Sequence, residues 1–177
     1  MPASLEFRVA NYGKEQCDAC RPALYENSLG QREEIFVSDT PTAQLAPDEI
    51  AEREAWRVPD GTWVIAITMH PEGWRRVLKL ANDVDPNSTI AVISSDFVLG
   101  TYSVETIRVS HGFLSFDFMS KPRFELALNV VRISSTEVES VTFEDIKDEC
   151  RLAAGGSPAV EARCLRIIST ASESQPE

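Results

Sequence analysis

Residues 113–134 read FLSFDFMSKPRFELALNVVRIS, and the fold turns on how this stretch is divided. In 113–119, Leu114, Phe116 and Phe118 alternate with Ser115 and Asp117, the two-residue period of a strand with one buried face. In 124–134, Phe124, Leu126, Leu128 and Val130 keep the same period. The linker SKPR (120–123) is short and holds a proline that suits a turn. The stretch therefore reads as a β-hairpin whose two apolar sets share one face.

Outward from this hairpin, strand signals continue in both directions. TIAVIS (89–94) is apolar and β-branched, FVLGTYS (97–103) continues it or turns back with Gly100 as a bulge or bend, and ETIRVS (105–110) alternates with Ile107 and Val109 inward. ESVTFED (139–145) would add a last strand with Val141 and Phe143 inward. TWVIAITM (62–69) is apolar on both faces, as a covered central strand requires. PEGWRRVLKLANDV (71–84) is the clearest helix, with Trp74, Val77, Leu78, Ala81 and Val84 recurring at three- and four-residue steps. Residues 19–28 and 47–56 read as further helices, the second opened by Pro47, Asp48 and Glu49. Strands are read at 5–10 and 33–39, a helix at 145–154, and a helix or strand at 159–168. The expected architecture is α+β: an antiparallel sheet or partial barrel over residues 89–144, packed against the helix at 71–84, with a mixed N-terminal part. Residues 1–168 would form a single domain, and residues 169–177 a flexible acidic tail.

The 177 residues carry a net charge of −11, with 43% hydrophobic and 25% charged residues. That composition is globular, and a chain of this length can bury a core without metal or disulfide staples. The negative field repels nucleic-acid phosphates and anionic lipid, so neither is an expected partner. No apolar run approaches the ~18 residues of a membrane span. The first residues, MPASLEFRVA, lack a basic region followed by an apolar one, so no secretory leader is read and a cytoplasmic protein is expected.

EQCDACRPALYEN (15–27) places Cys17 and Cys20 in C-x-x-C spacing, with Cys150 and Cys164 far behind them. Residues 5–69 are similar in layout to the start of a thioredoxin-like or glutaredoxin-like protein: a strand, the C-x-x-C pair, a helix, and a Val58–Pro59 step before the strand at 62–69. The resemblance implies a nucleophilic Cys17 activated at a helix N-terminus and a cis-proline at Pro59. The chain departs from that pattern at Asp18, whose charge opposes a thiolate. It departs again at Gln16, where an aromatic residue is usual, and at the helix of 71–84, where a closing hairpin would stand. Half a zinc site is the other chemical reading, with Cys150 and Cys164, or His70 or His111, completing it. The adopted reading is plainer: four reduced cysteines acting as small apolar side chains, with no cofactor.

No phosphate loop, serine-nucleophile elbow or zinc-protease motif is present, and His70 and His111 have no local catalytic companions. The chain is therefore expected to bind rather than catalyse, as an inhibitor, an immunity or adaptor protein, or a subunit of a larger assembly. The expected surface is acidic: Asp48, Glu49, Glu52 and Glu54, with Trp56 as an apolar anchor, and Glu144, Asp145, Asp148 and Glu149 on a second helix. Arg75, Arg76 and Lys79 form a secondary basic patch on the 71–84 helix. The expected partner is another protein with a basic surface, and an exposed edge strand would also allow a homodimer.

Overall fold

The computed structural model describes residues 4–12, 17–27 and 29–156. Strands Leu5–Asn11 (β1), Cys20–Glu26 (β2), Arg32–Leu45 (β3), Thr89–Ser94 (β6) and Phe97–Ser103 (β7) close a five-stranded barrel in the order β1-β3-β2-β7-β6. Strands Ile50–Arg57 (β4), Trp63–Met69 (β5), Phe113–Phe118 (β8) and the short Glu139–Ser140 (β9) form a second sheet, ordered β8-β5-β4-β9. The described residues also hold four helices: Pro71–Asp83 (α1), Val104–Val109 (α2), Lys121–Val131 (α3) and Phe143–Ala154 (α4). The α+β class is as expected, but the sheets are mixed: β2 pairs β7 in parallel, and β4 pairs β9 in parallel. The barrel also recruits the N-terminal strands, so the expected sheet over 89–144 is divided between two sheets and three helices.

The decisive stretch divides differently from the hairpin reading. Its first half is strand β8, with Leu114, Phe116 and Phe118 buried as expected. Its second half is helix α3, which buries Phe124, Ala127, Leu128 and Val131 at i, i+3, i+4 and i+7 and leaves Leu126 55% exposed. Pro122 sits in the first turn, where its missing N–H costs nothing. Residues 105–110 are likewise helical. Ser103 caps α2 by accepting from the Thr106 N–H at 3.1 Å, and Val109 is 59% exposed rather than inward.

Three more expectations are corrected. Residues 19–28 hold strand β2, not a helix. Residues 47–56 hold one 3-10 turn, Pro47–Glu49, followed by strand β4. The strand at 139–145 ends after Ser140, and Thr142 opens α4 with a reciprocal capping box to Asp145, leaving Phe143 on the surface. The expected elements at 159–168 and 169–177 lie outside the described residues.

Two interiors result. Ala10, Ala23, Ile35, Val37, Ala91, Ile93 and Val98 fill the barrel. The larger core takes Leu5, Phe7, Leu45, Ile90 and Val92 from the barrel strands, Ile65, Ile67, Leu114 and Phe116 from the second sheet, and apolar residues of α1, α2 and α3. Helix α1 follows its expected span but buries Gly73, Val77, Leu80 and Ala81, with Trp74 only half-buried. A Cβ at Gly73 would overlap Leu45 Cδ1, so any larger residue there would force the buried Leu45 side chain to shift.

Candidate protein-docking face

The antiparallel registers of β4, β5 and β8 sort this sheet's residues into two faces. Residues directly opposite one another share a face. One face carries the rows Arg53–Ile67–Leu114, Ala55–Ile65–Phe116 and Arg57–Trp63–Phe118. It is covered by α3, whose Phe124 lies 5.0 Å from the Trp63 ring and 6.1 Å from that of Phe118. The other face carries the rows Glu52–Thr68–Phe113, Glu54–Ala66–Ser115 and Trp56–Val64–Asp117. There Glu52, Glu54, Phe113, Ser115 and Asp117 are exposed and Trp56 is half-buried. Val64 and Ala66, on the central strand of this face, are buried.

Three carboxylates thus share one outward sheet face, and no ion pair reaches Glu52, Glu54 or Asp117 among the described residues. Loss of hydration, and then repulsion by Asp60 in the β4–β5 turn, push the Asp117 carboxyl above its usual range. Asp117 is exposed overall, so that loss of hydration is partial. Beside it, Tyr102 of β7 donates its hydroxyl to the Ser115 carbonyl at 2.5 Å, and burial holds that hydroxyl neutral well above the ordinary tyrosine range.

The other expected acidic residues are distributed elsewhere. Asp48 is exposed on the 3-10 turn. Glu49 is half-buried and internally engaged: it accepts from the Ala46 N–H at 2.8 Å and pairs with Arg76. The Arg76 guanidinium, foremost, holds its carboxyl below the usual range. On α4, Asp145 closes the capping box with Thr142, whose N–H and hydroxyl it accepts, and these bonds depress its pKa. Glu144 pairs with Lys147 at 3.0 Å, Asp148 pairs with Arg151 at 3.2 Å, and Glu149 is exposed. Of the expected acidic surface, Glu52, Glu54 and Trp56 are the members that this sheet face carries. Asp117 and Phe113 join them across the register, a neighbourhood that sequence spacing does not show.

The basic patch is also divided. Arg75 is exposed, while Arg76 and Lys79 line a cleft of about 590 Å³ with Ser4, Thr42, Gln44, Glu49 and Asp83. Their charges are taken up locally: Arg76 by Glu49 and the Gln44 carbonyl, Lys79 by Asp83 at 2.5 Å. His70 is the residue before α1, its N–H on the Glu49 carbonyl, and His111 takes a left-handed turn before Gly112.

No family model matches the chain, and no curated protein matches it. Among solved structures it is similar to one described as "Structure and function of a membrane component SecDF that enhances protein export". The two share 15% identity and a TM-score of 0.46, over 74% of this chain and 62% of that one. A likeness this distant carries no argument. No helix among the described residues is long and apolar enough to cross a membrane.

The cysteines differ from the expected reduced thiols. Cys17 and Cys20 form a disulfide, and Cys150 is buried and disulfide-bonded too. Cys164 lies outside the described residues. Cys20 opens strand β2, so the helix that the thioredoxin-like resemblance requires is replaced by a strand. Among the described residues, no three potential metal ligands converge.

Buried or half-buried arginines, among them Arg53, Arg8 and Arg123, escaped the sequence reading. Arg53 donates to the carbonyls of Pro47, Ile50 and Val131 at 2.8–3.0 Å, tying the start of β4 to the end of α3. Arg8 bridges Glu6 and the carbonyls of Ser38 and Asp39. Arg123, 5% exposed, lies 4.4 Å from the centre of the Phe97 ring. A single arginine in a strand-like or helical pattern carries no sequence signal for such a role.

Proposed function

We propose that this chain is a non-catalytic protein-binding module that docks a basic partner on the outward face of the β8-β5-β4 sheet. The observation that carries the reading is the set of Glu52, Glu54 and Asp117 on one exposed face without cationic partners among the described residues, beside Trp56 and Phe113. Aligned carboxylates speed the encounter with a positive surface, and flanking aromatic rings supply area that is lost to water on docking. An inhibitor, an adaptor or an assembly subunit would all use such a face.

The test is fluorescence anisotropy with lysine- and arginine-rich peptides, run at low and at near-physiological salt. Binding is expected to weaken with added salt and to be lost in Glu52→Lys/Glu54→Lys. It is expected to survive in Glu144→Lys/Glu149→Lys, which alters α4 alone. Equal losses in both variants would reduce the reading to bulk charge. A photo-crosslinker at Ser115 reports the occupant directly, and crosslinking only to residues 157–177 of the same chain would overturn the docking role.

A further inference from the structure

We infer that Cys17 and Cys20 form a thiol–disulfide exchange site, with Cys20 as the sulfur that leaves as thiolate. The site lies on the outside of the barrel. Cys20 stands opposite Ser38 in the β2–β3 register, and Ile35 and Val37 are the residues of β3 that fill the interior, so Ser38 and Cys20 face away from it. Both cysteines are half-buried, within reach of a small thiol.

The polar surroundings of the two sulfurs are unequal. Cys20 Sγ has the Asn11 side-chain amide at 3.7 Å and the Ser38 hydroxyl at 3.7 Å. Among the described residues, Cys17 Sγ has the Ser38 hydroxyl alone, at 3.8 Å. Asn11 Nδ2 also reaches Ser38 Oγ at 3.5 Å, so the two groups form one small cluster. A disulfide sulfur is a poor acceptor, whereas a thiolate accepts such bonds strongly. Asn11 and Ser38 therefore favour the state in which Cys20 carries the charge. In redox folds built on C-x-x-C that help comes from a helix N-terminus; here two side chains of β1 and β3 stand in its place. Arg8, bonded to the Ser38 and Asp39 carbonyls, brings a positive charge nearby that Glu6 already pairs at 2.7 Å, and Asp18 and Asp39 add negative charge.

The exchange balances with a low-molecular-mass thiol such as glutathione as reductant. Its thiolate attacks Cys17 Sγ, the Cys17–Cys20 bond breaks, and the electron pair leaves on Cys20 Sγ toward Asn11 and Ser38. A second thiol attacks the outer sulfur of the mixed disulfide, releasing Cys17. The sum is two thiols oxidised to one external disulfide, one protein disulfide reduced to two thiols, and two protons passed to the cysteines.

The full chain is equilibrated in glutathione buffers of graded ratio and quenched with an alkylating agent, and the peptide holding Cys17 and Cys20 is quantified by mass spectrometry. The bond is expected to open and re-form reversibly with unchanged tryptophan fluorescence. Asn11→Ala and Ser38→Ala are each expected to shift the equilibrium about tenfold toward the disulfide, as loss of a hydrogen bond to a charged group implies. Ser38→Thr, which keeps the hydroxyl, should restore it. Acid-trapped intermediate should carry glutathione on Cys17. A bond that opens only when denaturant unfolds the chain overturns the assignment, and so do unmoved equilibria in both alanine variants or an adduct shared equally between the cysteines.

Discussion

Arg53 closes the junction between the start of β4 and the end of α3. Three carbonyls, from Pro47, Ile50 and Val131, point at one guanidinium. Truncation would remove all three bonds, though the Pro47 carbonyl keeps the Ile50 N–H, so Arg53→Ala is expected to destabilise the fold by about 2–3 kcal/mol, measured by urea denaturation. Arg53→Lys should restore little, because one ammonium cannot reproduce the fork. Asp117 works in the opposite sense. Its carboxyl pKa is raised, so its ionised form costs stability as pH rises through that raised value, and the cost persists at neutral pH. Asp117→Asn is therefore expected to raise the melting temperature slightly at pH 7, by about 0.5 kcal/mol or less in stability, while weakening peptide binding. A variant that binds as before would remove Asp117 from the docking face. Neither role was legible in the sequence, because both depend on which backbone segments meet.

At the scale of elements, the hairpin reading of 113–134 failed in its second half for a definable reason. Phe124, Leu128 and Val131 fit the helical period, yet Leu126 and Val130 complete a two-residue alternation just as well. What decides is the opening Ser120–Lys121–Pro122, where proline favours a helix start as readily as a turn. The two readings predict opposite mutational responses. In α3, Leu126→Lys should change stability by no more than about 0.5 kcal/mol, whereas Phe124→Ala, emptying the space beside Trp63 and Phe118, should cost about 3–5 kcal/mol. A large loss at Leu126 in thermal melts would contradict the helix. Strands β5, β6 and β8 and helix α1 were legible because each has one unambiguous period or a run buried on both sides. Strand β2 was not: CRPALYE has no clean alternation, and only its pairing with β3 makes it extended.

The whole molecule divides its acidic groups between those that hold the fold and those that face outward. Glu49 belongs to the first kind. Its carboxyl pKa is depressed from 4.5, so the stability it contributes is complete above that value and is lost as pH falls through its folded pKa. Glu49→Gln should therefore flatten the acid limb of the stability curve below about pH 4.5 and lower stability at pH 7. Identical acid limbs for the variant and the parent would show that the Arg76 pair does not form in solution. Strand β6 bears on the molecule at this scale in another way. It sends Ala91 and Ile93 into the barrel and Ile90 and Val92 into the larger core, and none of the four is accessible to solvent. Neither half can melt while the other keeps its centre, so heating should give one calorimetric peak with matching van't Hoff and measured enthalpies. The amide protons of residues 90–93 should be the last in the chain to exchange with deuterium.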